Sequence, residues 1–539
     1  MTMGNSFYRK SFAWGATALL LASTALAGCS QDQSSGSSKD KPTPSAPANM
    51  NESSLPIVKS PITLKVWAPM NPNASQFITD YGQNEVYQEL EKRTGIHIQF
   101  IHPAQGQEKE AFNLMIASGE LPDIITGASR YIGGEEKGVR DGVFEDLTPY
   151  LQKYAPDYYS IVTSDAETKR EVTTDDGKFP AFYMIKQSQD APSRRIMFAE
   201  DMLKSLNLQI PKTIDDYDKT FKAIKDSKGL APYILLPTGL EEQFMGPYGI
   251  IPGFYLKDAK TVSFGQTQPQ FKDYLTLMNK WYKEGYINKD FAGLKPAQQQ
   301  ALLDSGKAAM LVEAVVASYN RGQQIKSPHV SAPYPRLKAD DKIHYQPADW
   351  PQAGQGQETV ITSSSKYKVE AVRWLNYAYT KEGSMLYNYG IEGKTYNMVD
   401  GKPKFTDYIL NHPKYGTENT NYILRVHFAP KLQCKDIACN PNLAKSPESA
   451  AIRQKYADDP NVDSALVLPP IRMTPEENDK RSKIMTEVNT YSDEMVLKFI
   501  LGSEPLSNFD QYVSQLKKLG IDEAVKITQT AYERYLSKK

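Results

Sequence analysis

Ile62-Thr63-Leu64-Lys65-Val66-Trp67 alternates apolar and polar residues and reads as a half-buried strand. It runs into Ala68-Pro69-Met70-Asn71-Pro72-Asn73, whose prolines and asparagines mark a loop. Beyond the loop, Val86 and Leu90 sit on one face of a helix that stops at Gly95. Residues 96–101 alternate again, as a second strand. The spacing then predicts a helix over about 107–118, with Phe112, Met115 and Ile116 on one face and Gly119 as its stop. Leu121-Pro122-Asp123-Ile124-Ile125-Thr126 is the third strand. Strands alternating with helices of this length predict βαβ units, a parallel sheet and the α/β class. Ligands of such sheets lie beyond the carboxyl ends of the strands. The loops from Trp67 to Asn73 and from Gly127 to Arg130 therefore fall on the expected binding edge.

Upstream of this unit, Arg9-Lys10 precedes an apolar run from Phe12 to about Leu26. The run is too short for a membrane span and suits the core of a signal peptide. It ends in Leu26-Ala27-Gly28-Cys29, which resembles the lipobox of bacterial lipoproteins. That resemblance implies removal of residues 1–28 and lipidation of Cys29, giving two acyl chains and stable anchoring on the outer face of a membrane. Residues 30–51 are mostly Ser, Gln, Lys, Pro and Ala and read as coil. A flexible tether is expected over 29–58, with a reach of roughly 30 Å. A chain beginning near Pro56 is then expected to fold fully.

About 480 residues remain, too many for one ordinary core. Lys and Arg total 63 and Asp and Glu total 63, so no basic excess points to nucleic acid. Tyrosine is common, at 33 residues, and offers an apolar ring with a polar tip at half-buried surfaces. Cys434 and Cys439 are spaced for a short disulfide loop outside the cytoplasm, or remain free thiols. Two cysteines with no neighbouring histidine do not make a zinc site, so no metal and no cofactor are expected.

Further along, residues 197–208 read as a helix, Thr213 and Asp216 as a capping box, and 233–236 as a buried strand. Phe271, Tyr274, Leu275, Met278, Trp281 and Tyr282 share one helical face, which assigns Trp281 to a core. Residues 308–312 and 358–361 read as strands and 369–380 as a helix. The last part is helical, around 484–499, from Phe509 to Leu516, and over 525–535.

Four stretches in this order carry a family resemblance. They are Ile116-Ala117-Ser118-Gly119-Glu120-Leu121-Pro122-Asp123, Trp281-Tyr282-Lys283-Glu284-Gly285-Tyr286-Ile287, Tyr389-Gly390-Ile391-Glu392-Gly393-Lys394-Thr395-Tyr396, and Gly520-Ile521-Asp522 running on to Ala531-Tyr532-Glu533-Arg534-Tyr535. Behind a lipobox, they resemble the family 1 extracellular solute-binding lipoproteins of Gram-positive ABC importers, in particular the large oligosaccharide-binding members related to alginate-binding proteins. The resemblance implies a two-lobed, type II periplasmic-binding-protein-like α/β fold, with discontinuous lobes joined by a hinge. Its expected division is 59–180 with about 331–400 as the N-terminal lobe, and about 181–330 with 401–539 as the C-terminal lobe. It implies a monomer that holds a carbohydrate in the interlobe cleft, ABC permease subunits as partners, and no chemistry on the ligand. Larger members carry an Asp-x-Asn-x-Asn-Gly calcium loop where this chain has Lys225-Asp226-Ser227-Lys228-Gly229, so calcium is not expected there.

A sugar site needs flat aromatic rings beside amide or charged hydrogen-bonding groups. The candidates are Trp67 and Asn71 at the first strand's end, Arg130 after the third strand, and Tyr248 and Trp350 in loops. Glu392 and Tyr396 join them from the glycine-rich stretch. Trp67 packing in a lobe core and a solvated Arg130 are the plain alternatives. A glycoside hydrolase is the rival class, and needs two carboxylates facing across a defined gap. Asp215-Asp216 and Glu241-Glu242 are sequence neighbours and do not supply it. Gly-x-Ser-x-Gly, His-Glu-x-x-His and P-loop motifs are absent, so no enzyme is expected. A non-sugar solute such as a peptide is the alternative cargo.

Overall fold

The computed structural model describes residues 42–538 apart from 188–193, 259, 345–357, 427–428, 435–438, 446–447, 449–450 and 452–458. The signal peptide, Cys29 and Trp350 lie outside the described residues.

The strands of two four-stranded sheets are, in chain order, β1 (Ile62–Trp67), β2 (Ile96–Ile101), β3 (Ile124–Thr126), β4 (Arg194–Ala199), β5 (Tyr233–Ile234), β6 (Met310–Ala314), β7 (His329–Ser331) and β8 (Thr359–Ile361). The first sheet has the order β8-β3-β1-β2 and the second β5-β6-β4-β7. In the first, β1 pairs parallel with β2 and β3, as the βαβ reading predicts. β8 closes its edge antiparallel to β3, so the sheet is mixed rather than purely parallel. In the second, β4 is antiparallel to both β6 and β7, and only β5–β6 is parallel.

The helices that matter below are α1 (Glu85–Thr94), α2 (Glu108–Ser118), α3 (Ile214–Lys228), α4 (Pro269–Lys283), α5 (Lys368–Tyr377), α6 (Lys381–Tyr389), α7 (Pro475–Leu501) and α8 (Ile521–Ser537). Gly95 and Gly119 end α1 and α2 at φ 74° and 71°, a left-handed backbone that glycine adopts at least cost. At the start of α3 the Thr213 hydroxyl accepts from the Asp216 N–H at 3.2 Å, and the Asp216 carboxylate accepts from the Thr213 N–H at 3.0 Å.

Each sheet carries its own hydrophobic core, and the molecule is two-lobed. In the second core Trp281 is fully buried, with Phe221 and Phe244 both 5.1 Å away edge-on. The chain passes between the cores after Ile185, after Ile343 and after Leu432, which makes both lobes discontinuous.

Three expectations are corrected. Residues 197–208 are not one helix: 194–199 form the central strand β4, and a short helix follows at Glu200–Ser205. Ile196, Met197 and Phe198 are buried on both faces between β6 and β7, and that pairing overrides local helical spacing. The stretch 401–432 packs with the first lobe, not the second. Ile409, Ile423 and Leu424 cluster with Ala74 and Ile78, while Val426 and Ala429 join the first core. The expected tether is also too long at its carboxyl end. Met50, Ile57 and Val58 are buried in the first core, and the Ile57 N–H donates to the Thr94 carbonyl at 2.8 Å. The Tyr154 hydroxyl donates to the Pro44 carbonyl at 2.8 Å, so the docked arm begins near residue 44. Those three apolar side chains suffice to anchor a stretch whose average composition reads as coil.

Cys434 and Cys439 are joined as a disulfide. Among the described residues, no helix is long and apolar enough to cross a membrane and no acidic, histidine or cysteine cluster could hold a metal ion.

Candidate binding cleft

Because β1 and β3 run parallel, their carboxyl ends open on one edge of the first sheet, and a cavity of about 400 Å³ lies there. That volume is within the usual range for small-molecule sites. Its polar rim includes Asn71, Glu108, Thr126, Arg130 and Thr359. Aromatic rings of Tyr81, Tyr87, Phe100, Trp374 and Tyr387 form much of its wall.

Local structure fixes each group. Asn71 caps the turn at Pro72–Ser75, its side-chain oxygen accepting from the Asn73 N–H at 2.8 Å. The Asn71 N–H in turn donates to the Tyr81 hydroxyl at 2.8 Å, which holds the loop against the aromatic wall. Phe100 stands 4.9 Å from Tyr87 and 5.7 Å from Tyr81, edge to face with both. Trp374, on α5, is buried, yet its indole Nε1 has no hydrogen-bond partner among the described residues. An unpaired buried N–H carries a desolvation cost that a hydroxyl or carbonyl acceptor would remove.

Glu108 opens α2, and its carboxylate accepts from the Gly106 N–H at 2.9 Å. Its own N–H and that of Gly106, aided by Arg130, hold this carboxyl below the usual range. Arg130 follows β3. Its Nη1 donates to the Gly127 carbonyl at 3.2 Å, and its guanidinium lies 5.8 Å from the Trp67 ring centre. No carboxylate lies within ion-pair distance of it among the described residues.

Arg130 also lines a second cavity, of about 650 Å³, so the two adjoin at this side chain. The second is walled by residues of both lobes: 129–136, Tyr183 and Glu358 from the first, and 468–481 with Arg534 from the second. An ion-pair network crosses it. Arg472 Nη2 lies 2.9 Å from the Glu135 carboxylate, 2.7 Å from the Tyr183 hydroxyl and 2.9 Å from the Glu171 carbonyl. The Tyr183 hydroxyl donates to Glu135 at 2.6 Å. Burial pushes the Glu135 carboxyl up, but Arg472 and Tyr183 outweigh it and hold the group below its ordinary range.

Glu358, just before β8, organises the loop that carries Arg130. Its carbonyl accepts the Gly127 N–H at 2.8 Å, and its carboxylate Oε1 accepts the Ser129 N–H at 2.7 Å. Its Oε2 is buried with no partner among the described residues. Burial, and then Glu135, raise the Glu358 carboxyl above its usual range.

Of the sequence-derived candidates, the structure brings Asn71 and Arg130 together at the first cavity. Trp67 is 2 % exposed and packs edge-on against Phe112 at 5.5 Å, as part of the lobe core beneath Arg130. Tyr248 is partly buried against the second core, and burial pushes its hydroxyl up to about 12. Tyr396 packs on Tyr389 at 5.7 Å in a small cluster beside Cys439. Glu392 is exposed and bridges by its backbone to Tyr396. None of Tyr248, Glu392 or Tyr396 lines either cavity. Sequence reasoning missed Glu108, Tyr81, Tyr87, Trp374, Tyr387 and Glu358. The position of Glu108, at the start of the helix after β2, was the one readable signal.

Comparison with known proteins agrees with this geometry. LipO, a lipoprotein of Bacillus subtilis, is 27 % identical over 413 residues, covering 71 % of this chain and 74 % of LipO. The fructooligosaccharide ABC transporter substrate-binding protein FusA of Streptococcus pneumoniae is 23 % identical over 511 residues, covering 88 % of this chain and 91 % of FusA. The alginate-binding protein AlgQ2, solved without calcium ion, shares the fold with a TM-score of 0.67 at 23 % identity, over 90 % of this chain and all of that one. The model of the bacterial extracellular solute-binding protein family matches residues 78–385, more than half of the sequence, and the chain belongs to that family.

Proposed function

We propose that this protein is the carbohydrate-binding component of an ABC importer, held to the outer face of the membrane by a lipid on Cys29. It takes an oligosaccharide, as a monomer, in the cleft that begins at the carboxyl ends of β1 and β3. The observation that carries this reading is the first cavity's wall: flat rings of Tyr81, Tyr87 and Trp374 beside the hydrogen-bonding groups of Asn71 and Arg130. Rings cover the apolar C–H faces of a sugar, and the polar groups pair with its hydroxyls. The adjoining interlobe cavity gives room for further sugar units and supports a chain of sugars over a single one. FusA and AlgQ2, whose names give fructooligosaccharide and alginate, support the carbohydrate class. The sugar leaves unaltered and passes to the permease subunits.

Calorimetric titration of the mature protein with tri- to pentasaccharides, with peptides of similar size as controls, tests this. A sugar is expected to bind without release of reducing ends. Trp374→Phe, which removes the unpartnered indole donor, is expected to weaken it about five- to tenfold. Binding of peptides with indifference to every sugar would overturn the reading.

A further inference from the structure

We infer that the sugar this cleft accepts is uncharged, and that Glu108 is the residue that turns acidic sugars away; the inference rests on the carbohydrate reading above. Among the described residues the first cavity is lined by one cation and one anion, Arg130 and Glu108. A guanidinium free of carboxylate partners would by itself suit a uronate, because its fork matches a carboxylate. Here the fork shares its cavity with a carboxylate already committed to its charged form. The Gly106 N–H bonded to Glu108 at 2.9 Å stabilises that charge, and Arg130 is close enough to add to it. A uronate seated on Arg130 would bring a second negative charge into the same cavity, whereas hydroxyls can donate to Glu108 and accept from Arg130 together.

The adjoining cavity points the same way. Among the described residues six carboxyl side chains and five arginines line it, with no cationic surplus. Arg472 is engaged by Glu135, and Arg534 by Glu477. Arg481 lies 5.3 Å from the Phe254 ring centre. Among the described residues two buried polar atoms of this lining lack a partner, the acceptor Glu358 Oε2 and the donor Arg472 Nη1, and sugar hydroxyls can serve both without bringing in charge. Specificity against an anionic ligand needs only a like charge such as that of Glu108 at the contact point.

The test is titration calorimetry of the mature protein and its Glu108→Gln variant. The probes are neutral fructo-, gluco-, galacto-, manno- and xylo-oligosaccharides of three to five units, alongside tri- to pentagalacturonate. The wild type is expected to bind at least one neutral sugar and to bind galacturonates at least about tenfold more weakly. Glu108→Gln is expected to narrow that ratio by about tenfold, and 0.5 M salt to narrow it in the wild type. Tightest binding to galacturonate overturns the inference while leaving the carbohydrate reading in place. So does an unchanged ratio in Glu108→Gln. Binding of no sugar of either kind takes down both.

Discussion

Replacing Arg472 with methionine keeps most of the side chain's packing and removes the charge that holds the interlobe network together. The carboxylate of Glu135 is then left in a site where its side chain is about 10 % exposed. Breaking a buried pair from one side costs about 3–5 kcal/mol, because the remaining charge is uncompensated. The Tyr183 hydroxyl still donates to Glu135 at 2.6 Å, which places the expected cost near the lower end, about 3 kcal/mol. Unfolding entropy scales with length, at about 2.1 cal/mol/K per residue, or about 1 kcal/mol/K for a body of roughly 480 residues. The melting temperature should therefore fall by about 3 °C at neutral pH. The pH dependence has a definite sign. The native carboxyl of Glu135 is held below its ordinary range, so its stabilising contribution is present above the unfolded-state value and is lost as pH falls through the native one. The penalty of Arg472→Met should accordingly shrink on acidification. Glu135→Gln combined with Arg472→Met removes the stranded charge, and the double variant should be less damaged than the two single costs added together, by about 1–2 kcal/mol. Calorimetric scans of the four proteins at pH 4.5 and 7.5 measure this. A coupling below about 0.5 kcal/mol at pH 7.5 would refute the claim that this pair ties the lobes.

Two further outcomes follow from the fold. Glu241 is fully buried, neither of its carboxyl oxygens makes a hydrogen bond of normal geometry among the described residues, and burial raises its carboxyl well above the usual range. A raised native value means stability is present below the unfolded-state value and lost as pH rises, so Glu241→Gln should gain on the wild type from pH 5 to pH 8 by upwards of about 1 kcal/mol, seen by denaturant melts. Starting the chain at Pro56 removes buried Met50 and the Asn51 N–H bond to the Ile57 carbonyl, leaving Ile57 and Val58 uncovered. That truncation should cost about 2 kcal/mol, or about 2 °C, in thermal unfolding; an unchanged melt would restore the longer tether.

What could be read ahead of the structure divides by whether the signal is local. Gly95, Gly119 and the Thr213 box stop or start helices through their own backbone chemistry, and the helices sit where those residues put them. β4 was not readable, because nothing within 194–199 says that two strands more than a hundred residues downstream will flank it. The cleft divides in the same way. Asn71 and Arg130 follow from strand direction, since they come straight after β1 and β3. Trp374 and Tyr387 lie on α5 and α6 at core-like spacing, and only tertiary packing turns an edge of that core toward the cavity. Tyr248 and Tyr396 show the converse: an aromatic residue outside regular helix or sheet interior is not thereby at a cleft, for both are drawn into other clusters.

Glu358 joins these two halves of the problem. It stands at the end of the second passage between the lobes, and with its carbonyl and carboxylate it grips the N–H groups of Gly127 and Ser129. The loop so held carries Arg130, the side chain common to both cavities. A side chain on the wall of the proposed binding cleft is thus braced by the segment that arrives from the other lobe, rather than by its own strand alone. The same side chain, which lines the interlobe cavity, has one oxygen without a partner among the described residues, in a site where burial already works against its charge. A group spent wholly on bracing the loop would gain by pairing both oxygens or by being an amide, which needs no charge. Retaining a carboxyl there costs stability, and a ligand hydroxyl donating to the free oxygen would offset that cost only when the cleft is filled.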